Sequence, residues 1–278
     1  MSMFKPLLVA LLFAASGPLL AADALEGWLV RDPPEVGSVE WYCENHAPFV
    51  WDVSVDHGRL ALKKLPLEEL WDVELNSVKK LPQFSVGEYK VFPRRAVRVA
   101  DGYLVGYNRG EWGGAVYWFS HDAKANYGFT RRQVEHFIQR DEELFALEGY
   151  SHLISEGSFI RFRRIKGKWS YSVVTDLPGA PGPYTMDGPQ HLLVVAGNQL
   201  LRLSISGEFK TLHNARSSYG KAGSIVKDAW GVIYIGTGAA VIAFHPSPSG
   251  YREQWFVRPE DEKACACRIG PHGHVICH

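Results

Sequence analysis

Five side chains suited to recognition or catalysis fall in two short, glycine-containing segments of the 278-residue chain. Arg109, Glu111 and Trp112 stand among glycines in the first segment, and Tyr150 and His152 follow a glycine in the second. Glu111 could serve as a general base where burial raised its pKa. Because Trp, Tyr and Arg are favoured at recognition hot spots, we interpret the two segments as loops that form one binding surface on the same side of the molecule.

Catalysis is the weaker interpretation of these residues. Arg109 and Glu111 can equally be solvated or paired charges. Trp112 can be a packing residue, and His152 a structural one. The sequence contains no Gly-x-Ser-x-Gly elbow, His-Glu-x-x-His pair, phosphate-binding glycine loop or dinucleotide fingerprint. We therefore assign no catalytic residue and predict no cofactor.

The four cysteines favour disulfide bonds if the chain is exported to an oxidising compartment. Residues 271–273, Pro-His-Gly, read as a turn, and counting outward from it places Cys267 opposite Cys277, at a separation that a disulfide can bridge. A two-residue turn would shift this register by one. The remaining pair, Cys43 with Cys265, would tie the start of the chain to its end.

The same tail also carries the residue types of a zinc or copper site. Six candidate ligands fall within 14 residues: Cys265, Cys267, His272, His274, Cys277 and His278. Their spacing matches no standard zinc finger, because Cys-x-Cys and His-x-His place both members on one face of a strand. The sequence therefore favours disulfides, and we predict no metal site.

The elements that would position these residues follow from a repeated pattern, a small turn signal before a short apolar strand. It recurs six times, at Asp56, Asp101, Asp141, Asp187, Asp228 and Pro271, with separations of 45, 40, 46, 41 and 43 residues. Repeats of this length are typical of four-stranded propeller blades. The sequence predicts an all-β fold, a β-propeller of about six four-stranded blades. An open solenoid or a sandwich is the alternative.

The last repeat ends at His278, after its second strand. Two strand-like runs near the start of the chain, Trp28–Arg31 and Ser38–Cys43, precede the first complete repeat. We expect these N-terminal strands to complete the last blade, since that closure removes exposed sheet edges.

The segment Asn108–Gly114, followed by Tyr117-Trp118-Phe119, resembles secreted bacterial β-propellers of unassigned function. The resemblance to the general propeller class covers essentially all of residues 26–278. It implies the fold and brings no activity or catalytic residue. The Trp-Asp signature of WD repeats and the double glycine of kelch repeats do not recur along the chain.

The amino terminus has the pattern of a secretory signal peptide. Lys5 precedes an apolar run, residues 6–20, and Ala21, Ala22 and Ala24 offer small residues for cleavage. A retained membrane anchor is the alternative, but the run is short of the roughly 18 residues that span a bilayer. We predict a signal peptide at residues 1–22 and a single β-propeller domain at residues 23–278, periplasmic or secreted and without a membrane span.

Composition narrows the choice of partner. The 30 basic and 30 acidic side chains give a formal net charge of zero, which disfavours nucleic acid as a partner. We predict an exported, non-catalytic, monomeric binding module that recognises a protein or an envelope polymer. One version is an inhibitor or immunity factor against an envelope hydrolase. The alternative is a propeller enzyme, a hydrolase, lactonase or lyase, with a site at the central channel near Arg98, His136 and Tyr184.

Overall fold

The computed structural model describes residues 23–67, 93–108, 110–215, 219, 222–263, 267–270 and 275–277. The predicted signal peptide, residues 1–22, lies outside them. Strands dominate the described residues, with two short helices, α1 (Val39–His46) and α2 (Pro259–Lys263), and single 3₁₀ turns at Asp23–Leu25 and Gly110–Trp112. The predicted all-β class is confirmed.

Among the described residues there are six antiparallel sheets, and the first five, named A to E here, follow one another along the chain. Sheet A is a hairpin of β2 (Phe49–Asp56) and β3 (Arg59–Pro66). Sheet B contains β4 (Arg95–Val99), β5 (Gly102–Asn108), β6 (Gly114–Phe119) and β7 (Asn126–Thr130). Sheet C contains β8 (Val134–Arg140), β9 (Glu143–His152), β10 (Ile154–Ile165) and β11 (Lys168–Leu177).

The second half of the chain repeats this arrangement. Sheet D contains β12 (Pro181–Met186), β13 (His191–Ala196), β14 (Gln199–Ser204) and β15 (Phe209–Asn214). Sheet E contains β16 (Ser224–Lys227), β17 (Ile233–Gly236), β18 (Ala240–Ser247) and β19 (Gly250–Val257), with β1 (Leu29–Arg31) added beside β19. Within each of sheets B to E, four strands that follow one another in the chain pair in that same order. This is the up-and-down order of a propeller blade.

The predicted turn signals lie at equivalent places in these sheets. Asp56, Asp101, Asp141, Asp187 and Asp228 each stand at the turn between the first two described strands of their sheet. The repeat read from the sequence is therefore a structural repeat. The sixth turn, residues 271–273, lies outside the described residues.

Asp228 shows why an acidic residue suits this turn. Its Oδ1 accepts hydrogen bonds from the backbone N–H groups of Trp230 and Val232, each at 2.9 Å. The Asp228 carboxylate is buried. Its two hydrogen bonds satisfy backbone N–H groups of the turn that have no partner in the neighbouring strand.

Consecutive sheets pack face to face through apolar side chains of alternating strand positions. Leu144 and Ala146 of β9 pack toward sheet B, whereas Phe145 and Leu147 pack toward sheet D. Sheet D packs on sheet E, and sheet E on sheet A, through further buried clusters. Both faces of sheet C are thus buried at its centre.

The predicted completion of the last blade by N-terminal strands is wrong. Only Leu29–Arg31 of the two runs is a strand, and it pairs with β19 at the edge of sheet E. The run Ser38–Cys43 lies in α1, because the Ser38 side chain caps the helix by accepting from the Trp41 N–H at 3.1 Å.

The end of the chain forms a hairpin of its own, β20 (Arg268–Ile269) with β21 (Val275–Ile276). Among the described residues no strand of one sheet pairs with a strand of the next, and the sheets do not form a closed ring. The blade number of six therefore stays a prediction. No helix among the described residues is long and apolar enough to cross a bilayer.

Candidate functional site

The structure places the five predicted site residues unevenly. Arg109 and the side chain of Glu111 lie outside the described residues. Trp112 ends the 3₁₀ turn between β5 and β6, and its side chain is 74% exposed. Tyr150 and His152 are not in a loop, as predicted, but on the last part of β9. The strand extends this far because β10 continues to pair with it up to Ile154 opposite His152.

Gln133, which the sequence analysis missed, joins the two predicted segments. Its buried side-chain amide donates to the Gly110 carbonyl oxygen at 2.5 Å, and its backbone carbonyl accepts from the Gly149 N–H at 2.9 Å. A Cβ on Gly114 would lie 2.5 Å from Gln133 Cγ, so this approach requires glycine. The two segments therefore meet at the same end of sheets B and C, as the sequence predicted for adjacent units.

Large apolar side chains stand exposed at this end. Leu153 is 99% exposed at the turn between β9 and β10, and Ile154 beside it is 58% exposed. The rings of Tyr150 and His152 meet edge to face with centroids 6.3 Å apart. We call Trp112, Tyr150, His152, Leu153 and Ile154 the apolar surface.

Leu153 occupies a backbone conformation that disfavours its own side chain. Its φ is +60°, in the left-handed region that favours glycine and asparagine. Because the Leu153 side chain is almost fully exposed, it buries almost no apolar area that would offset this strain. Strain of this kind clusters at functional sites.

A polar cleft of about 490 Å³ adjoins the apolar surface. Tyr150 belongs to both features, and Gly113, next to Trp112, also lines the cleft. The exposed residues Arg131, Ser155 and Glu156 line its outer part. The inner part is a row across sheet C. Ser158 of β10 stands in register between Glu148 of β9 and Asp176 of β11, on the face that packs toward sheet B.

One arginine pairs with a carboxylate of this row. Arg132 Nη1 lies 2.8 Å from Glu148 Oε1, and its guanidinium lies over the Tyr171 ring, 5.5 Å from the centroid. Burial raises the pKa of Glu148, the Arg132 charge opposes that rise, and the neighbouring Asp176 adds to it. The Ser158 hydroxyl donates to Asp176 Oδ1 at 3.2 Å.

The position of Glu148 in this row could have been predicted from the two-residue alternation of side chains along β9. Glu148 follows Leu144 and Ala146 at two-residue steps, so the alternation that predicts a buried face also predicts a carboxylate on that face. A polar residue on a buried face is more informative than an exposed one. The partners of Glu148 could not be read in this way, because they come from other strands.

The channel residues of the enzyme alternative lie on the first strands of their sheets. The His136 and Tyr184 rings pack edge to face at 5.1 Å between centroids, and the Tyr184 hydroxyl lies 3.5 Å from the Phe137 carbonyl oxygen. Arg98 lies on β4. Within the described ranges, no group of three or more His, Cys, Asp or Glu side chains is arranged to hold a metal ion.

The Cys267–Cys277 disulfide is present, and the prediction of this pair is confirmed. It closes the last hairpin, because the β20 and β21 register, Arg268 opposite Ile276, continues to these two cysteines. Cys43 is disulfide-bonded as well. Its predicted partner, Cys265, lies outside the described residues.

No protein-family model matches the sequence, and no curated protein matches it significantly. Solved structures give weak similarities. Streptogramin B lyase has a TM-score of 0.39 at 11% identity, over 91% of this chain and 95% of the lyase. Virginiamycin B lyase from Staphylococcus aureus has a TM-score of 0.32 at 9% identity, over 84% of this chain and 89% of that one.

The extracellular domain of a hybrid two component system from B. thetaiotaomicron has a TM-score of 0.37 at 11% identity, over 79% of this chain. This chain spans about 28% of that protein's length. All three TM-scores lie below 0.5, so no activity, substrate or partner is transferred to this chain.

Proposed function

We propose that this protein is an exported, non-catalytic and monomeric binding module that recognises another protein through the apolar surface. Trp112, Leu153 and Ile154 carry the proposal, because they are large exposed apolar side chains on two segments that meet at one end of sheets B and C, and exposed apolar patches mark interaction sites. Trp and Tyr are also the residue types that contribute most to binding energy.

A protein partner fits this surface better than an envelope polymer does. Leu153 and Ile154 are aliphatic, and aliphatic side chains gain free energy chiefly by burial against another apolar surface. The cleft beside them holds both a guanidinium, Arg131, and a carboxylate, Glu156, which suits the mixed polar rim of a protein interface. A hydrolase of the cell envelope, inhibited by this module, is the version we favour.

Export is part of the proposal. The signal-like segment at residues 1–22 supports it, and so does the Cys267–Cys277 disulfide, because disulfides persist in oxidising compartments. Cleavage after residue 22 can be read directly by N-terminal sequencing of the protein recovered from its native envelope fraction.

The test is affinity capture from native envelope extract with the mature protein immobilised. We expect Trp112→Ala to weaken capture of the dominant protein partner by about tenfold or more. Trp230→Ala is the matched control, because Trp230 is also an exposed tryptophan (56%) but lies at the opposite, first-to-second-strand end of sheet E. Equal capture by wild type and Trp112→Ala would overturn the proposed surface, and polysaccharide as the captured species would favour the polymer.

The row Glu148, Ser158 and Asp176 favours a second candidate, an enzyme whose cleft hydrolyses an ester or a glycoside. Glu148, which Arg132 holds as a carboxylate and whose pKa burial raises, would be the general base. This candidate predicts that the purified protein turns over a chromogenic ester or glycoside and that Glu148→Gln abolishes turnover while binding of the substrate persists. Turnover that is unchanged in Glu148→Gln would reject it.

A further inference from the structure

A second cavity, of about 510 Å³, lies at the joint between the two ends of the chain, and none of its described lining residues belongs to the apolar surface. It is bounded by the residues that follow β1, by α1, by the edge of sheet E and by α2. Its volume lies in the range of small-molecule sites. The cavity reaches the surface through the exposed side chains of Asp32, Glu35 and Glu40.

The described lining of this cavity is strongly acidic. Six carboxylate side chains line it, those of Asp32, Glu35, Glu40, Glu44, Asp261 and Glu262, against one basic side chain, that of Arg31. Arg31 is engaged by Glu262, with Nε and Nη2 each 3.1 Å from a carboxylate oxygen. Lys64, outside the lining, lies 2.5 Å from Asp261 Oδ1. Within the described part of the chain, the other four carboxylates have no basic partner.

Two of these carboxylates are buried, and in each of them only one oxygen has a hydrogen-bond partner. Glu44 is 4% exposed, and its Oε2 accepts from the Ala239 N–H at 2.9 Å while Oε1 has no hydrogen-bond partner. The nearby Thr237 hydroxyl donates its proton to the Ala240 carbonyl oxygen, at 2.8 Å. Asp261 is 5% exposed, and its Oδ2 likewise lacks a partner. Buried acceptors in native proteins are normally satisfied.

Close backbone packing between α1 and sheet E holds Glu44 in place. A Cβ on Gly238 would lie 2.2 Å from the Glu44 backbone carbonyl oxygen, so α1 packs directly on the turn between β17 and β18. This contact holds the carboxylate beside the Ala239 N–H. Trp255 and Val257 of β19 supply apolar wall in the same cavity.

We propose that this cavity binds an organic cation, an amine or a guanidinium on a short aliphatic stem. Ammonium and guanidinium groups carry several N–H donors and no acceptor, which is what unpartnered carboxylate oxygens require. The apolar wall at Trp255 and Val257 suits the stem. The site is independent of the protein-binding surface proposed above. Its ligand is either a basic side chain of a peptide or a free amine.

Isothermal titration calorimetry on the mature protein tests this proposal. N-acetyl-arginine amide stands for a peptide side chain and putrescine for a free amine, and N-acetyl-citrulline amide is the uncharged control ligand. We expect saturable one-to-one binding of at least one cation and none of citrulline. The tighter of the two cations identifies the source of the ligand.

Three variants connect the binding to the named residues. Glu44→Gln keeps the shape of the buried side chain and should weaken binding about tenfold. The exposed rim variant Glu35→Gln with Glu40→Gln cannot disturb the core and should weaken binding about threefold. Glu142→Gln, an exposed turn residue of sheet C, should have no effect. Absence of saturable binding, equal binding by all variants, or binding of calcium chloride in place of both cations would overturn the proposal.

Discussion

Arg132 Nη1 lies 2.8 Å from Glu148 Oε1, and this ion pair fastens the segment between sheets B and C to the floor of the polar cleft. Glu148 is almost fully buried, whereas Arg132 is partly exposed. Loss of the arginine would leave a buried charge without a partner, which is costly. Loss of the carboxylate would leave a charge that water can still reach. Gln133, the next residue, holds the turn that carries Trp112.

Arg132→Met should lower the free energy of unfolding by about 2–3 kcal/mol at pH 7, because it leaves the Glu148 charge buried without a partner. Arg131→Met, one residue away on the rim of the same cleft, should cost less than about 0.5 kcal/mol. The loss in Arg132→Met should shrink as the pH falls, because burial raises the pKa of Glu148 and protonation removes the unpaired charge. Urea denaturation at several pH values measures it, and equal losses in the two variants would contradict this account.

Leu153→Asn should stabilise the protein by about 0.5–1 kcal/mol, since asparagine tolerates a φ of +60° better than leucine does. The same substitution should reduce partner capture, because it removes the most exposed apolar side chain of the apolar surface. Ile154→Asn is the control, since it removes exposed apolar area at a position without positive φ and should not stabilise. Chemical denaturation and capture assays are run on the same samples, and a destabilised Leu153→Asn would refute the strain argument.

Glu44 should make stability fall as the pH rises through the weakly acidic range. Burial raises its pKa from 4.5 to about 7, against hydrogen bonds that lower it, so the folded state binds the proton more tightly than the unfolded state does. Stability from this group is present below pH 4.5 and is lost by pH 7, a change of about 3 kcal/mol. Glu44→Gln should flatten that part of the pH profile of the free energy of unfolding.

Glu40→Gln, one turn earlier on the exposed side of α1, is the comparison for this prediction. It should leave the pH profile as in the wild type. A wild-type profile that is flat between pH 4.5 and 7, or equal profiles in Glu44→Gln and the wild type, would show that Glu44 titrates normally.

Asp228→Ala should lower the free energy of unfolding by about 1–3 kcal/mol, because the backbone N–H groups of Trp230 and Val232 lose their acceptor. Asp141 stands at the equivalent turn of sheet C, where it is exposed at a φ of +51°. Asp141→Asn should therefore be nearly neutral. Thermal unfolding separates the two, and similar losses would mean that the acidic turn residue acts through the backbone conformation alone.

Replacing Cys267 and Cys277 together by serine should cost about 2–3 kcal/mol in the chain-entropy model, given the sequence separation of 10 residues. The midpoint of thermal unfolding should fall, and adding reductant should change the variant less than the wild type. Identical midpoints for the wild type and the double variant would show that the last hairpin unfolds apart from the rest of the molecule.

Local chemistry explains what could be predicted about the fold. The aspartate-led turns, the alternating strands of sheet E and the Cys267–Cys277 pair depend on residues close in sequence, so turn preference and two-residue periodicity were enough. Residues 38–43 show the limit of that reasoning. A short mixed run fits a strand or a helix equally well, and the cap at Ser38 together with the packing of α1 on Gly238 decided for the helix.

The sequence by itself determined the all-β class, the repeat and the residue types, such as Trp112 and Tyr150, from which a recognition surface could be built. Only the tertiary structure decided that Gln133 joins their segments, that Glu148 stands beside Arg132 and Ser158, and that Glu44 meets an acidic cavity. The physical reason is that these contacts cross from one sheet or helix to another. They depend on strand register and on how the sheets stack, and neither is encoded in the spacing of a single segment.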